Sequence, residues 1–259
     1  MNKINQLFAD RGEHKLLSLY FCAGAPTLDG TGEVLLAMQR RGIDMVEVGI
    51  PFSDPLADGP VIQAAATQAL RNGMTLRKLF AQLEAVRAEL HIPILLMGYL
   101  NPILHYGIED FCESCARAGV SGAIIPDLPF EEYIAKVKPI SDRYDLRIIM
   151  LITPETGEER IRRIDKNTEG FIYMVSSASV TGSKQSFSAA QQEYFQRIKA
   201  MDLHNPCMVG FGISNALTLH DAQDNAAGAI IGSRFVSLLS EAEGDAEVAL
   251  DRLFSALRE

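Results

Sequence analysis

The sequence predicts an α/β fold, a (β/α)8 TIM barrel, and three observations carry that expectation. Eight short apolar runs are spread along the 259 residues, amphipathic segments separate them, and no proline-, glycine- or serine-rich linker divides the chain. Runs that are apolar almost throughout, with little polar alternation, are what parallel strands buried on both faces require. One barrel commonly occupies about 250 residues, so residues 1–259 are expected to form a single domain. The alternative is an open doubly wound sheet, which usually has fewer strands and a glycine-rich first turn that this chain lacks.

In chain order, LLSLYFCA (16–23) supplies the first strand and GEVLLAMQRRG (32–42) a helix that Gly42 closes. DMVEVGI (44–50) is the second strand, and GPVIQAAATQAL (59–70) and LRKLFAQLEAVRAEL (76–90) carry helical spacing. The third strand is IPILLMGY (92–99), followed by the helix IEDFCESCARAG (108–119) with Gly119 as its stop. GAIIP (122–126), the helix EEYIAKVKPISDRY (131–144), LRIIMLIT (146–153) and GFIYMVS (170–176) come next. CMVGFGI (207–213) and GAIIGS (228–233) complete the eight strands, and RFVSLL opens a helix directly after the last. Two connections exceed the usual length of a few residues: 51–60 after the second strand and SASVTGSKQSFS (177–188) after the sixth. Both follow strand C-termini, the end of a barrel where active sites sit.

Composition narrows the partners. Hydrophobic residues make up 47% and charged residues 22%, the balance of a soluble folded protein. Lys and Arg number 24 against 33 Asp and Glu, for a net charge of -9, and form no basic block. Nucleic acid and anionic membrane are therefore poor partners. Cys22, Cys112, Cys115 and Cys207 follow no signal-like segment, so a reduced, cytoplasmic chain is expected. The C-x-x-C spacing of Cys112 and Cys115 lies within a helical pattern without a second pair, and reads as ordinary helix packing.

Glu47 stands at the centre of the apolar MVEVG run, so this strand carries a carboxylate into the barrel. Either an ion pair satisfies it there, or burial raises its pKa toward neutrality, where one group can both give and take a proton. Asp58 follows a proline-stiffened loop and precedes a helix, which suits a helix cap or a second carboxylate at the barrel mouth. Thr181-Gly182, Gly210 to Gly212 and Gly232-Ser233 follow strands six, seven and eight, where barrels often hold a phosphate on loop amides and a helix N-terminus. No strand carries a lysine at an interior position, which removes the Schiff-base aldolases. The five histidines are scattered, so no metal-ligand cluster is expected. Acid–base chemistry on an organic phosphate, without metal or cofactor, remains.

The run VEVGIPFSDPLADGPVIQ, with LLMGYLNP, PDLP, SVTG, GFGIS and GAIIGS in order, resembles the α subunit family of tryptophan synthase over essentially the whole chain. The resemblance implies a barrel that cleaves indole-3-glycerol phosphate to indole and glyceraldehyde 3-phosphate, and passes indole to a pyridoxal-phosphate β subunit in an α2β2 heterotetramer. It implies Glu47 and Asp58 as the catalytic pair, and Gly182, Gly212, Gly232 and Ser233 around the phosphate. Tyr20, Ile62, Met97, Ile124, Tyr173 and Phe211 match the indole pocket, Thr181 a lid, and Asp54 and Pro55 the surface that meets the β subunit. Cofactors are implied only in that partner.

The chain departs from the family pattern at Ala25, where an acid is frequent, and at Ser177 and Ser179, where arginine and glycine are common. These positions bear on lid closure and coupling to the partner rather than on the catalytic pair. Two other readings are a different phosphate-binding barrel enzyme and a catalytically idle barrel that activates a partner. An indole-glycerol-phosphate synthase needs an interior lysine, which is missing, and intact Glu47 and Asp58 weigh against an idle barrel.

Overall fold

The computed structural model describes residues 1–176 and 186–258. All eight apolar runs are strands: β1 (Leu16–Cys22), β2 (Met45–Gly49), β3 (Ile94–Met97), β4 (Gly122–Ile124), β5 (Arg147–Ile152), β6 (Ile172–Val175), β7 (Cys207–Gly210) and β8 (Gly228–Ile231). Each pairs in parallel with the next, and β8 pairs with β1, so the sheet closes into a barrel. Every residue of β2 and β8 is buried, because one face meets the interior and the other the surrounding helices.

Two apolar layers follow from strand alternation. Leu16, Met45, Leu95, Ile124, Ile149, Met208 and Ile230 point inward and fill the lower barrel. Leu19, Phe21, Val46, Val48 and Leu96 point outward and pack under the helices. Gly42 and Gly119 adopt φ of 76° and 77°, the left-handed conformation in which glycine ends a helix without steric cost.

Two features depart from the sequence reading. The segment 131–144 is not one regular helix: a π turn spans Tyr133–Val137 immediately before Lys138–Arg143. Pro139 accounts for it, since its ring lacks an N–H and crowds the carbonyl four residues earlier, which widens the turn ahead of it. The second is a helix before the first strand, Lys3–Asp10, which closes the N-terminal end of the barrel. Its Ile4 is fully buried among the interior side chains, and the rings of Phe8 and Phe171 lie 5.7 Å apart.

Asn2 locks this plug in place. Its Oδ1 accepts from Ile4 N–H at 2.9 Å, capping the helix, while its Nδ2 donates to the carbonyls of Ser121 at 2.8 Å and Asp145 at 2.6 Å. With this end sealed, the opposite end is left for a site. Replacing Asn2 with alanine removes a cap and the two bonds that tie the helix to the Ser121 and Asp145 carbonyls, so Asn2→Ala should cost about 2 kcal/mol in urea unfolding. A change below a few tenths of that would show that the plug is held by apolar packing alone.

Candidate active site

Glu47 reaches the interior because β2 alternates, with Met45 below it and Gly49 above. It is level with Tyr20 of β1 and Leu95 of β3. The residue is fully buried, and neither carboxylate oxygen has a hydrogen-bond partner. Among the described residues, no ion pair satisfies it. Burial pushes its pKa up to about 8, and the nearby Ser18 hydroxyl on β1, which forms no well-shaped hydrogen bond to it, draws it back only in part. The core ion pair that the sequence allowed is thus replaced by a carboxyl group that carries its proton at neutral pH.

Asp58 hangs over the same opening from the loop 51–60. Gly59, not Asp58, is the N-cap of the helix Pro60–Arg71, and no side chain bonds to that helix start. Its carboxylate is therefore free of the capping role. Burial raises its pKa to about 6, and a hydrogen bond from Tyr99 opposes the rise. Tyr99, one residue beyond Gly98 at the end of the third apolar run, also fixes the loop: its hydroxyl accepts from Ala57 N–H at 2.9 Å, and its ring lies 5.4 Å from Phe52. The loop adds its own turn bonds, Leu56 N–H to Asp54 O at 3.0 Å and Asp58 N–H to Pro55 O at 3.1 Å.

Two tyrosines frame the carboxyl groups. Tyr20 and Tyr173 are almost fully buried, and both feel the charges of Glu47 and Asp58, which with burial push their hydroxyls well above the usual range. Their side chains lie flat across two strand glycines. A Cβ at Gly49 would stand 2.1 Å from the Tyr20 hydroxyl, and one at Gly210 would stand 2.2 Å from that of Tyr173. No larger residue fits at either place without moving a tyrosine.

The other expected pocket residues lie along this wall. Ile124 is fully buried in the interior, with Met97 and Phe211 partly buried against the same cluster. Phe211 sits 6.1 Å from the Tyr173 ring, edge to face, and Ile62 at the start of its helix faces Gly232 and Tyr20. Phe211 has φ of 70° and Gly212 of 79°, two successive left-handed residues. A bulky residue in that conformation is strained and must be held. Ser176 holds it, its Oγ donating to Phe211 O at 2.6 Å.

Of the expected phosphate positions, Gly212 lies in this turn, and Gly232 and Ser233 begin the helix Ser233–Glu241, whose first amides have no capping side chain. A Cβ at Gly232 would approach Tyr20 and Ile62 at 3.8 and 3.9 Å, so the helix start borders the tyrosine wall. Thr181 and Gly182 lie outside the described residues, as do Ser177 and Ser179. Asp54 is exposed and Pro55 half-buried on the loop. Cys112 and Cys115 are buried in the helix Ile108–Ala118, their thiols pushed up by desolvation. Among the described residues, no helix is long and apolar enough to cross a membrane.

Tyr99, Ser176 and Ser18 are the site residues that the sequence reading passed over. All three lie in apolar runs, where a single hydroxyl reads as strand filler. Position is the usable signal, since Tyr99 and Ser176 follow the C-termini of β3 and β6, the end of a barrel where sites sit.

The titration of Glu47 has a consequence for stability. Between pH 4.5, its ordinary value, and about 8, the folded chain keeps a proton that the unfolded chain releases. The stability this gives is complete below 4.5 and is lost as pH rises through 8. Glu47→Gln is neutral throughout and escapes that loss. Its urea midpoint should rise relative to wild type across this interval, and parallel midpoints would refute the raised pKa.

Known proteins resemble this chain in sequence and in fold. The sequence pattern of the family described as Tryptophan synthase alpha chain matches residues 8–259. The tryptophan synthase alpha chain of Phocaeicola vulgatus is 59% identical over 258 residues, covering 100% of both chains. That of Parabacteroides distasonis is 60% identical over 259 residues, again with 100% of each covered. Among solved structures, tryptophan synthase subunit alpha from Legionella pneumophila superposes with a TM-score of 0.89 at 32% identity, covering 100% of this chain and 97% of the other. A Mycobacterium tuberculosis tryptophan synthase chain gives 0.88 at 30% identity, with 100% and 99% covered. With a pattern match across nearly its whole length and relatives this similar from end to end, the chain belongs to the tryptophan synthase alpha chain family.

Proposed function

We propose that Glu47 and Asp58 carry out the retro-aldol cleavage of indole-3-glycerol phosphate to indole and glyceraldehyde 3-phosphate. As a member of the tryptophan synthase alpha chain family, the chain is a lyase of tryptophan biosynthesis. The observation that carries the residue assignment is the fully buried, unpartnered carboxyl of Glu47, with its pKa near 8, at the open end of the barrel.

A group with that pKa holds a proton at neutral pH and gives it up readily. Protonated Glu47 donates to indole C3, which turns the ring into an electron sink. The resulting carboxylate takes the proton of the C3′ hydroxyl as the bond between C3 and C3′ breaks and its electron pair returns to the ring. One proton is given and one recovered, so the residue ends as it began and the step needs no further reagent. Asp58, with its pKa near 6, is ionised at neutral pH and suits the indole N–H, whose positive charge grows in the transition state. Tyr99 keeps that carboxylate aimed, by holding both it and the neighbouring Ala57 amide.

Tyr20, Ile62, Met97, Ile124, Tyr173 and Phe211 supply an apolar slot for indole, with few polar atoms to hydrate it. Gly212, Gly232 and Ser233 offer backbone amides to the phosphate, together with Gly182 from the second long loop, where Thr181 serves the lid. The helix Ser233–Glu241 turns its uncapped N-terminus to that anion.

The partner in this reading is a β subunit carrying pyridoxal phosphate, in an α2β2 assembly in the cytoplasm. The loop 51–60 supports it: Leu56 is 90% exposed, beside exposed Asp54 and half-buried Pro55, and an apolar side chain so displayed is suited to burial by another surface. That loop also bears Asp58, so a partner seated on it acts on the site directly.

Indole release from indole-3-glycerol phosphate, with and without a tryptophan synthase β subunit, tests the reading. Wild type should turn over slowly alone and faster with the partner, whereas Glu47→Gln should lose all but a trace of activity while still binding glycerol phosphate. Substantial turnover by that variant would remove Glu47 from its role. Gly232→Leu, which projects a side chain beyond the ordinary contacts an alanine would make, should raise KM about ten-fold or more, with kcat much less affected. Unchanged affinity for glycerol phosphate would place the anion elsewhere.

A further inference from the structure

Ser18 lies inside the barrel at the middle of β1, level with Met45 of β2 and Ile230 of β8, one pleat below the row that holds Tyr20 and Glu47. It is fully buried, and its hydroxyl has no hydrogen-bond partner. The side chains that fill the barrel around it, Leu16, Met45, Leu95, Met208 and Ile230, are apolar. An unpaired hydroxyl in such a place costs stability, and alanine or valine would pack there at no such cost. Two other interior atoms share its condition, the two carboxylate oxygens of Glu47. Three buried polar atoms without partners, on adjacent strands, form one unfinished arrangement.

We infer that Ser18 is a positioning residue for the acid–base step, its hydroxyl donating to Glu47 each time that carboxyl group ionises and holding it in place to recover a proton. The inference rests on the assignment of Glu47 made above. When Glu47 is protonated, its proton belongs to the substrate and the serine stands idle. When the proton has left, the nearby hydroxyl turns to the carboxylate and offsets part of the cost of a buried charge. Ser18 favours the ionised form of Glu47, in the direction opposite to burial.

The other titratable groups near this carboxyl are Tyr20 from β1, Tyr173 from β6 and Asp58 from the loop, and both tyrosines, raised first by burial, also feel the charges of Glu47 and Asp58. The two tyrosine hydroxyls are held across Gly49 and Gly210. Leu95, Ile124, Ile149, Met208 and Ile230, from the remaining interior, bring no polar group.

The test follows the Glu47 carboxyl by 13C NMR in chains labelled at the glutamate side-chain carbon, its signal identified by its loss in Glu47→Gln. In Ser18→Ala the titration midpoint of Glu47 should move to higher pH, and kcat at neutral pH should fall about ten-fold, the worth of a hydrogen bond to a charged group. KM and glycerol phosphate binding should hold, and thermal stability should be equal or higher, because an unpaired buried hydroxyl has gone. Ser18→Thr keeps the donor and should restore the midpoint. A midpoint unmoved in Ser18→Ala overturns the inference, as does a moved midpoint with kcat unchanged. If Glu47→Gln itself remains active, the acid–base assignment fails instead, a result that the NMR midpoint separates from any failure of Ser18.

Discussion

The structure turns on the cost of keeping a carboxyl group without a counter-ion inside a closed apolar barrel. Among the described residues, Glu47 meets no cation and no hydrogen-bond donor in good geometry, so the interior holds it as a neutral acid. The fold tolerates this because eight paired strands satisfy their own backbone groups and leave the interior to side chains. A single strained position is spread over a large, otherwise well-packed core. The same dryness that raises the pKa keeps a proton on the carboxyl at neutral pH, where an ordinary glutamate would have lost it.

Around that acid, the remaining features serve placement. The loop 51–60 brings Asp58 to the mouth, and Tyr99 pins the loop through Ala57. Tyr20 and Tyr173 take fixed positions because glycine alone lets them lie against the strands at 49 and 210. Ser176 stabilises the left-handed turn at Phe211 and Gly212, which sets one side of the pocket. None of these contacts is large in energy. Together they fix the two carboxyl groups and the walls around them at one end of the barrel.

Much of this was legible in the sequence for a physical reason. Strands buried on both faces write continuous apolar runs, and all eight runs are strands; a carboxylate in such a run stands out, as Glu47 did. Asp58 was ambiguous because a cap and a free carboxylate share one local pattern, and only the backbone shows that Gly59 takes the cap. The helix Lys3–Asp10 escaped notice because eight mixed residues give a weak periodic signal, while its function depends on Asn2 reaching carbonyls more than a hundred positions away. The π turn was hidden because Pro139 was read as part of a helix rather than as a disturbance of the turn before it. Ser18 has no signal of its own, since a lone hydroxyl in a strand acquires meaning only from the strand beside it.

The sealed lower end has a consequence for traffic. With Ile4 and Phe8 stopping the barrel at its N-terminal end, the chamber is a flask rather than a pipe. In the proposed seating, indole lies toward the bottom and the phosphate at the neck, so the two fragments leave in the reverse order of their depth unless a side exit opens beneath the loop 51–60. A partner docked on that loop would be the natural place for such an exit. Whether the oily fragment escapes early or waits behind the charged one is then a property of the assembly, decided by plumbing rather than by the chemistry that made it.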